Sequence, residues 1–289
     1  MAYTVGVEVG GTNINAGLVL NNKIIKKINV QTQSNKGKKV VIKNIITAIE
    51  KVKNNKKISG IGIGCPGPLD YKRGIVLNTP NLPLNKVNIV KVIKNKCRTR
   101  VVLDNDANCF ALGEALFGAG KNHSTVFGLT LGTGVGAGIV INKKIFHGRE
   151  NASEFGHSMI NFMGPKDKAR IPGSVESYCS ASGIMKSAKE AGIKAKTSKE
   201  VYDLAVKGNE KARSIFENLG FYLGISIANI ACTMDPDIII IGGKVADSWR
   251  FFSKSMNKSM RNHCFLKPPR IVKAKLENTA ILGATQLLK

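Results

Sequence analysis

The feature that most constrains this chain is a strand–glycine turn–strand unit that occurs twice, about 120 residues apart. In the first copy an apolar strand, Thr4–Val9, meets Gly10-Gly11-Thr12 and continues extended through Ile14–Leu20 to a hairpin signal at Asn21-Asn22. In the second, Ser124–Leu131 meets Gly132-Thr133-Gly134-Val135-Gly136, runs on through Ala137–Ile141 and turns at Asn142-Lys143. Taken singly, either loop reads as a plain hairpin turn. Two of them at matching positions predict a duplicated α/β fold. Glycine lacks the Cβ that blocks close approach, so backbone N–H groups and the threonine hydroxyls can face a phosphate. The Walker loop is excluded, because each Gly-Lys pair (37-38, 120-121, 243-244) lacks a following Ser or Thr.

The remaining pattern fits this frame. Lys23–Val30 reads as a strand, and Val40–Lys53 as a helix with Val41, Ile45, Ile46 and Ile49 on one face. The buried strand Ile58–Gly64 runs into the breaker Cys65-Pro66-Gly67-Pro68. A loop through Asn78-Thr79-Pro80-Asn81-Leu82-Pro83 leads to a helix near Val87–Asn95, a strand at Arg100–Leu103 and a helix over Ala107–Phe117. The later chain is more helical, at Ala181–Glu190, Ser198–Val206 and Asn209–Met234. A strand at Ile238–Ile241 precedes Gly242-Gly243, and Ala280–Leu288 is a closing helix. Gly62, Gly64 and Gly67 match a dinucleotide fingerprint as a bare pattern. Pro66 and the apolar Val87, where an acid would hold a ribose, argue against it.

With 43% apolar and 22% charged residues in 289, the composition is that of a globular protein able to bury roughly three quarters of its unfolded surface. The excess of 44 basic over 19 acidic residues is spread evenly, 19 against 6 over residues 1–115 and 25 against 13 thereafter. That distribution fits solvated surface lysine and no dedicated nucleic-acid tail, so no specific nucleic-acid partner is expected. The six cysteines form no Cys-x-x-Cys pair and read as reduced core thiols, and the four histidines form no metal pair. No export signal is read at Met1–Gly6. The longest uncharged stretch, Ser124–Asn142, carries five glycines and is no membrane span. The expectation is a cytoplasmic protein without a membrane partner.

Leu103-Asp104-Asn105-Asp106-Ala107-Asn108 puts two carboxylates and two amides where a strand ends and a helix begins, the edge at which open α/β sheets bind ligands. A helix cap explains one of these side chains and leaves the cluster unexplained. An Asp facing a hydroxyl can accept its proton as the oxygen attacks a γ-phosphate. Glu154-Phe155-Gly156-His157 and Val175-Glu176-Ser177 add carboxylates and an imidazole suited to vicinal hydroxyls; read alone, either is ordinary surface polarity.

In this order the motifs resemble the ROK family of sugar kinases, of the glucokinase and N-acetylhexosamine kinase kind. They run from Val7-Glu8-Val9-Gly10-Gly11-Thr12 through Gly62–Gly67, Asn81-Leu82-Pro83, Asp104–Asn108, Leu131–Gly136, Glu154–His157 and Glu176 to Ile241-Gly242-Gly243. The resemblance implies a duplicated, ribonuclease H-like actin-type ATPase fold: two α/β domains with a central cleft. The smaller spans 1–115, with a C-terminal helix about 278–289 packing back on it, and the larger spans 116–277. It implies Asp106 as catalytic base. Gly67, Asn81, Asn105, Asp106, Glu154, His157 and Glu176 would contact sugar, and Gly10, Gly11, Thr12, Asn13, Gly132, Thr133, Gly134, Gly242 and Gly243 would contact ATP. The activity implied is ATP- and Mg2+-dependent phosphorylation of a hexose 6-hydroxyl. Glucose leads; N-acetylmannosamine, N-acetylglucosamine and fructose are the alternatives, and a homodimer is possible.

Three departures stand out. Glu8 occupies a position the family usually fills with Asp near Mg2+, and Asn13 replaces a frequent Lys. The family's zinc pattern, Cys-x-Cys-Gly-x-x-Gly-Cys-x-Glu, falls on Asp167, Ala169 and Ser174, so no zinc is expected. The family also contains sugar-responsive repressors, whose DNA-binding domain would precede the first glycine loop. With Gly10 so near the start, the enzyme is the expected class.

Overall fold

The computed structural model describes residues 2–79 and 81–289, so Pro80 of the 78–83 loop and Met1 lie outside the described residues. The chain forms two compact units, Met1–Ser124 with Gly138–Ala152 and Lys275–Lys289, and Thr125–Ala137 with Ser153–Ala274.

In the first unit β1 (Tyr3–Val9), β2 (Asn13–Leu20), β3 (Lys23–Gln31), β4 (Ile58–Cys65) and, after the short strands β5 (Leu69–Asp70), β6 (Ile75–Val76) and β7 (Val87–Asn88), β8 (Arg100–Asn105) supply the elements. The main sheet has the order β3-β2-β1-β4-β8, and the short strands form a sheet of their own. The first three strands are an antiparallel meander, and Asn21 and Asn22 make its tight turn at positive φ, as hairpin chemistry requires. β1, β4 and β8 are parallel, in a register that aligns Glu8, Gly64 and Asp104.

Helix α1 (Lys38–Lys53) buries Val41, Ile45, Ala48, Ile49 and Val52, an i, i+4, i+7, i+8 stripe, against the sheet's Val5, Val7, Ile61 and Ile63. Truncating Ile63 to Ala would cost about 2–5 kcal/mol. The helix expected near 87–95 instead begins two residues later, as α2 (Ile89–Cys97). Val87 and Asn88 pair in β7, and the Asn88 side chain accepts from the Lys91 N–H as an N-cap. α3 (Asp106–Phe117) follows β8 directly.

The second sheet has the order β11-β10-β9-β12-β13, from β9 (Thr125–Leu131), β10 (Val135–Ile141), β11 (Lys144–Ile145), β12 (Ile238–Gly242) and β13 (Arg270–Lys273). β12 lies parallel between β9 and β13, and its run of four buried isoleucines is what a strand covered on both faces demands. The helices here are α4 (Val175–Cys179), α5 (Ala181–Glu190), α6 (Ser198–Val206), α7 (Glu210–Met234) and α8 (Trp249–His263). By length and composition α7 could cross a bilayer. It is a core helix, burying Leu219, Leu223, Ile227 and Ile230.

The last helix, α9 (Thr279–Gln286), returns to the first unit and packs Ile281 and Leu282 with Val19. Its approach is close: a Cβ on Gly62 would fall on the Ala284 carbonyl, and one on Gly283 on the Cys109 carbonyl. The Thr279 hydroxyl donates to the buried Glu114 carboxylate at 3.2 Å, and the Arg100 guanidinium donates to the Leu288 carbonyl at 2.8 Å.

Candidate active site

The parallel strands β1, β4 and β8 deliver a set of polar groups to their carboxyl ends. Glu8 aligns with Gly64 and Gly64 with Asp104, so the segments leading from those positions to Gly10-Gly11-Thr12, Gly67, and Asn105-Asp106 leave one sheet edge. The first glycine loop closes by the Gly10 N–H on the Asn13 carbonyl at 2.9 Å. Thr32 braces it, its hydroxyl donating to the Gly10 carbonyl and its N–H to the Thr12 carbonyl. Asn13 itself begins β2 opposite Gln31. Asn81 lies beside Gly11, its Cβ 3.5 Å from where a Cβ on that glycine would stand. Glu8 accepts from the Asn15 amide at 3.0 Å.

Asn105 is the N-cap of α3: its Oδ1 accepts from the Ala107 and Asn108 N–H groups, so only its amide nitrogen is left to donate to a ligand. Asp106 is the first helical residue, half-buried, where the helix dipole favours a carboxylate. The thiols of Cys65 and Cys109 lie below it. Burial pushes both upward, and the Asp106 charge adds to that, so both stay protonated and inert.

Behind this edge is a partner set absent from the sequence reading. Asp104 is 5% exposed at its side chain; its Oδ2 meets His147 Nε2 at 2.7 Å, and its Oδ1 accepts from the Asn105 N–H and the Asn108 amide. His147 stacks on Tyr71 with ring centroids 4.0 Å apart. Asp104 therefore fixes the Asn105 backbone and the Asn108 side-chain amide, on either side of Asp106 in the chain. No local pattern signals this pairing across 43 residues.

The second unit holds the other glycine loop. Gly132 N–H closes on the Gly134 carbonyl at 2.9 Å, and the start of α5 packs on the loop, Ala181 N–H donating to the Gly132 carbonyl and the Ser182 hydroxyl to the Thr133 carbonyl. Gly242 ends β12 in register with Thr130, so Gly242-Gly243 leaves the sheet at the same edge as this loop. Gly243, at φ 87°, abuts the Leu131 carbonyl.

Glu176, near the start of α4, accepts from the Val135 N–H at 2.9 Å through Oε2. A Cβ on Gly134 would strike that same carboxylate oxygen. The glycine loop and the Glu176 carboxylate are thus one mechanical unit. A side chain at 134 would press on Glu176 as well as on the loop.

Glu154, His157 and Glu176 interact through their charges. Burial raises the Glu154 carboxyl above its ordinary value, His157 opposes this and Glu176 adds to it. For His157, burial pulls the imidazole down, and the Asp167 hydrogen bond with the charges of Glu176, Asp167 and Glu154 outweighs it, so the ring titrates above 6.5.

Residues 4–289 match the family model described as ROK family. The chain is 31% identical to a glucokinase of Thermotoga maritima over 99% of its own length and 96% of that protein. It is also 31% identical to a xylose repressor of Bacillus spizizenii, over 91% of its length and 70% of the repressor. A ROK family glucokinase from Streptomyces griseus, solved with glucose and AMPPNP, superposes with a TM-score of 0.88 at 29% identity, covering 99% of this chain and 98% of that one. The sheets, β1-β4-β8 and β9-β12-β13 at their parallel cores, are those of the actin-like ATPase fold. The chain belongs to the ROK family.

Proposed function

We propose that this protein is an ATP-dependent sugar kinase that transfers the γ-phosphate to the 6-hydroxyl of a hexose, with glucose as substrate. The observation that carries the reading is Asp106, a half-buried carboxylate opening α3 at the carboxyl end of a parallel strand, at a junction that Asp104 braces through the Asn105 N–H and the Asn108 side-chain amide. In this role Asp106 accepts the hydroxyl proton as the sugar oxygen bonds to the γ-phosphorus and the bond to the ADP oxygen breaks. Gly67, Asn81 and Asn105 in the first unit, and Glu154, His157 and Glu176 in the second, hydrogen-bond the sugar hydroxyls. Gly10, Gly11, Thr12 and Asn13, and Gly132, Thr133 and Gly134, approach the phosphates with backbone N–H groups, with Gly242 and Gly243 on the adenosine side.

Mg2+ takes hard oxygen donors, and the carboxylate of Glu8 fits that chemistry; it would hold the ion from the end of β1. When bound with ATP, the ion neutralises phosphate charge. The likeness to glucokinases favours glucose, with N-acetylated hexosamines and fructose as competitors. The match to a xylose repressor carries a second reading, sugar binding without phosphoryl transfer. A coupled assay with ATP, Mg2+ and a panel of hexoses tests the proposal. Turnover with glucose above the other sugars supports it. Calorimetric sugar binding with no turnover on any sugar would give the second reading.

A further inference from the structure

The family's zinc pattern falls on Asp167, Ala169 and Ser174, and these residues do not fit a zinc ion. Zinc takes about four firm ligands, thiolates or imidazoles above all. Ala169 is exposed and has no donor atom. Ser174 is fully buried, and its hydroxyl oxygen caps α4 by accepting from the Ser177 N–H. Asp167 has both oxygens engaged: Oδ1 accepts from the Ile171 N–H at 2.9 Å, and Oδ2 meets His157 Nδ1 at 2.9 Å.

The loop carrying these residues is built without a metal. Residues Met159 and Ser174 form an antiparallel bridge, as do Lys166 and Pro172. Asp167 N–H donates to the Ile171 carbonyl, Gly173 N–H to the Pro165 carbonyl, and the Ser177 hydroxyl to the Pro165 carbonyl. At its centre the Asp167 side chain is 1% exposed, against 31% for His157.

We propose that Asp167 is a positioning residue that takes the place of a structural metal in this chain, its buried carboxylate holding His157 by Nδ1 and fixing which ring nitrogen faces the sugar. An ionised carboxylate only accepts, so Nδ1 must carry the hydrogen, whether the ring is neutral or charged. Nε2 is then the atom that meets a ligand. Burial alone would raise the Asp167 carboxyl; hydrogen bonds from His157, Ile171 and Ser174 outweigh it and hold the group ionised below its ordinary 3.8. A carboxylate behind a histidine is a common way to set tautomer and ring orientation.

The sugar-facing part of this inference rests on the kinase reading, and the experiment keeps the two apart. The full-length protein, purified without added metal and treated with chelator before Mg2+ is restored, is expected to contain no stoichiometric zinc and to lose no activity. Nitrogen-15 correlation spectra of the imidazoles should show His157 with its proton on Nδ1 in the unliganded protein. Asp167→Ala should abolish that signature, and raise the KM for sugar by about 10–100-fold with kcat within a few-fold. Asp167→Asn, which keeps an acceptor oxygen, should restore part of both, and it serves as the variant if Asp167→Ala does not fold. About one zinc per chain, or an unchanged His157 spectrum in folded Asp167→Ala, would overturn the proposal. A spectrum that changes as expected in a protein that phosphorylates no sugar would leave the positioning role standing and remove the kinase reading.

Discussion

The two compact units hold their polar groups by different means. In the first, Asp106 and Asn105 sit at a strand–helix junction, where β8 fixes the entry point and the first turn of α3 fixes the direction. In the second, Glu154 and His157 come from a 3-10 turn and its entry and Glu176 from a five-residue helix, and hydrogen bonds with Asp167 and the Val135 N–H hold His157 and Glu176. The first arrangement is secured by backbone geometry that many sequences can supply. The second depends on particular side chains. Substitutions in the first unit should therefore split cleanly into chemistry or stability, while those in the second should spread across several kinetic constants.

The largest effect is expected at Asp106. Asp106→Asn keeps the helix start and should lower kcat by about 10²–10⁴, with the KM for sugar little changed. Steady-state rates within tenfold of the parent would remove it as general base. Next is Asp104, whose loss takes the partner from the half-buried His147 and from the buried Asn108 amide. Asp104→Ala should destabilise by about 1–3 kcal/mol in urea unfolding. A variant as stable as the parent would show the junction to be held by backbone alone.

In the second unit, Gly134→Val pushes into the Glu176 carboxylate and is expected to raise KM for ATP and sugar together. A change confined to ATP would mean Glu176 moves aside without consequence. The smallest effect is in pH. His157 titrates higher in the folded protein than its ordinary 6.5, so its stabilising contribution is complete below 6.5 and fades as pH rises through the raised value. Asp167 titrates below 3.8, so its contribution is complete above 3.8 and fades as pH falls through the lowered value. The melting-temperature gap between parent and Asp167→Asn should be widest between those limits, and modest because the imidazole is partly solvated. A gap that does not vary with pH would leave the pair without electrostatic weight.

Local chemistry was readable in the sequence. Asn21-Asn22 and Asn142-Lys143 occupy left-handed turn positions, and α5 and α6 begin and end where their caps and periodicity predict. The helix Trp249–His263 was harder to see, because lysine, serine and asparagine dominate it and its buried stripe is only Phe252, Met256, Ser259 and Met260. β13 is short, half-buried and at a sheet edge, so it carries little alternation. The motif acid and glycines stand out because their spacing is contiguous. The His147–Asp104 and His157–Asp167 pairs do not, since a tertiary contact across 43 or 10 residues leaves no periodic trace.

The return of α9 to the first sheet has a consequence for how the chain is made. On the ribosome, residues 1–124 emerge well before Ile281 and Leu282, so the sheet face that receives them stays bare until synthesis has passed residue 282. Thr125–Ala137 and Ser153–Ala274 emerge in full before that helix does, so the later unit is free to fold first and the earlier one must wait. The nascent protein thus carries an open apolar surface while residues 125–274 are made, and that interval is where chaperone capture and misassembly will compete with folding.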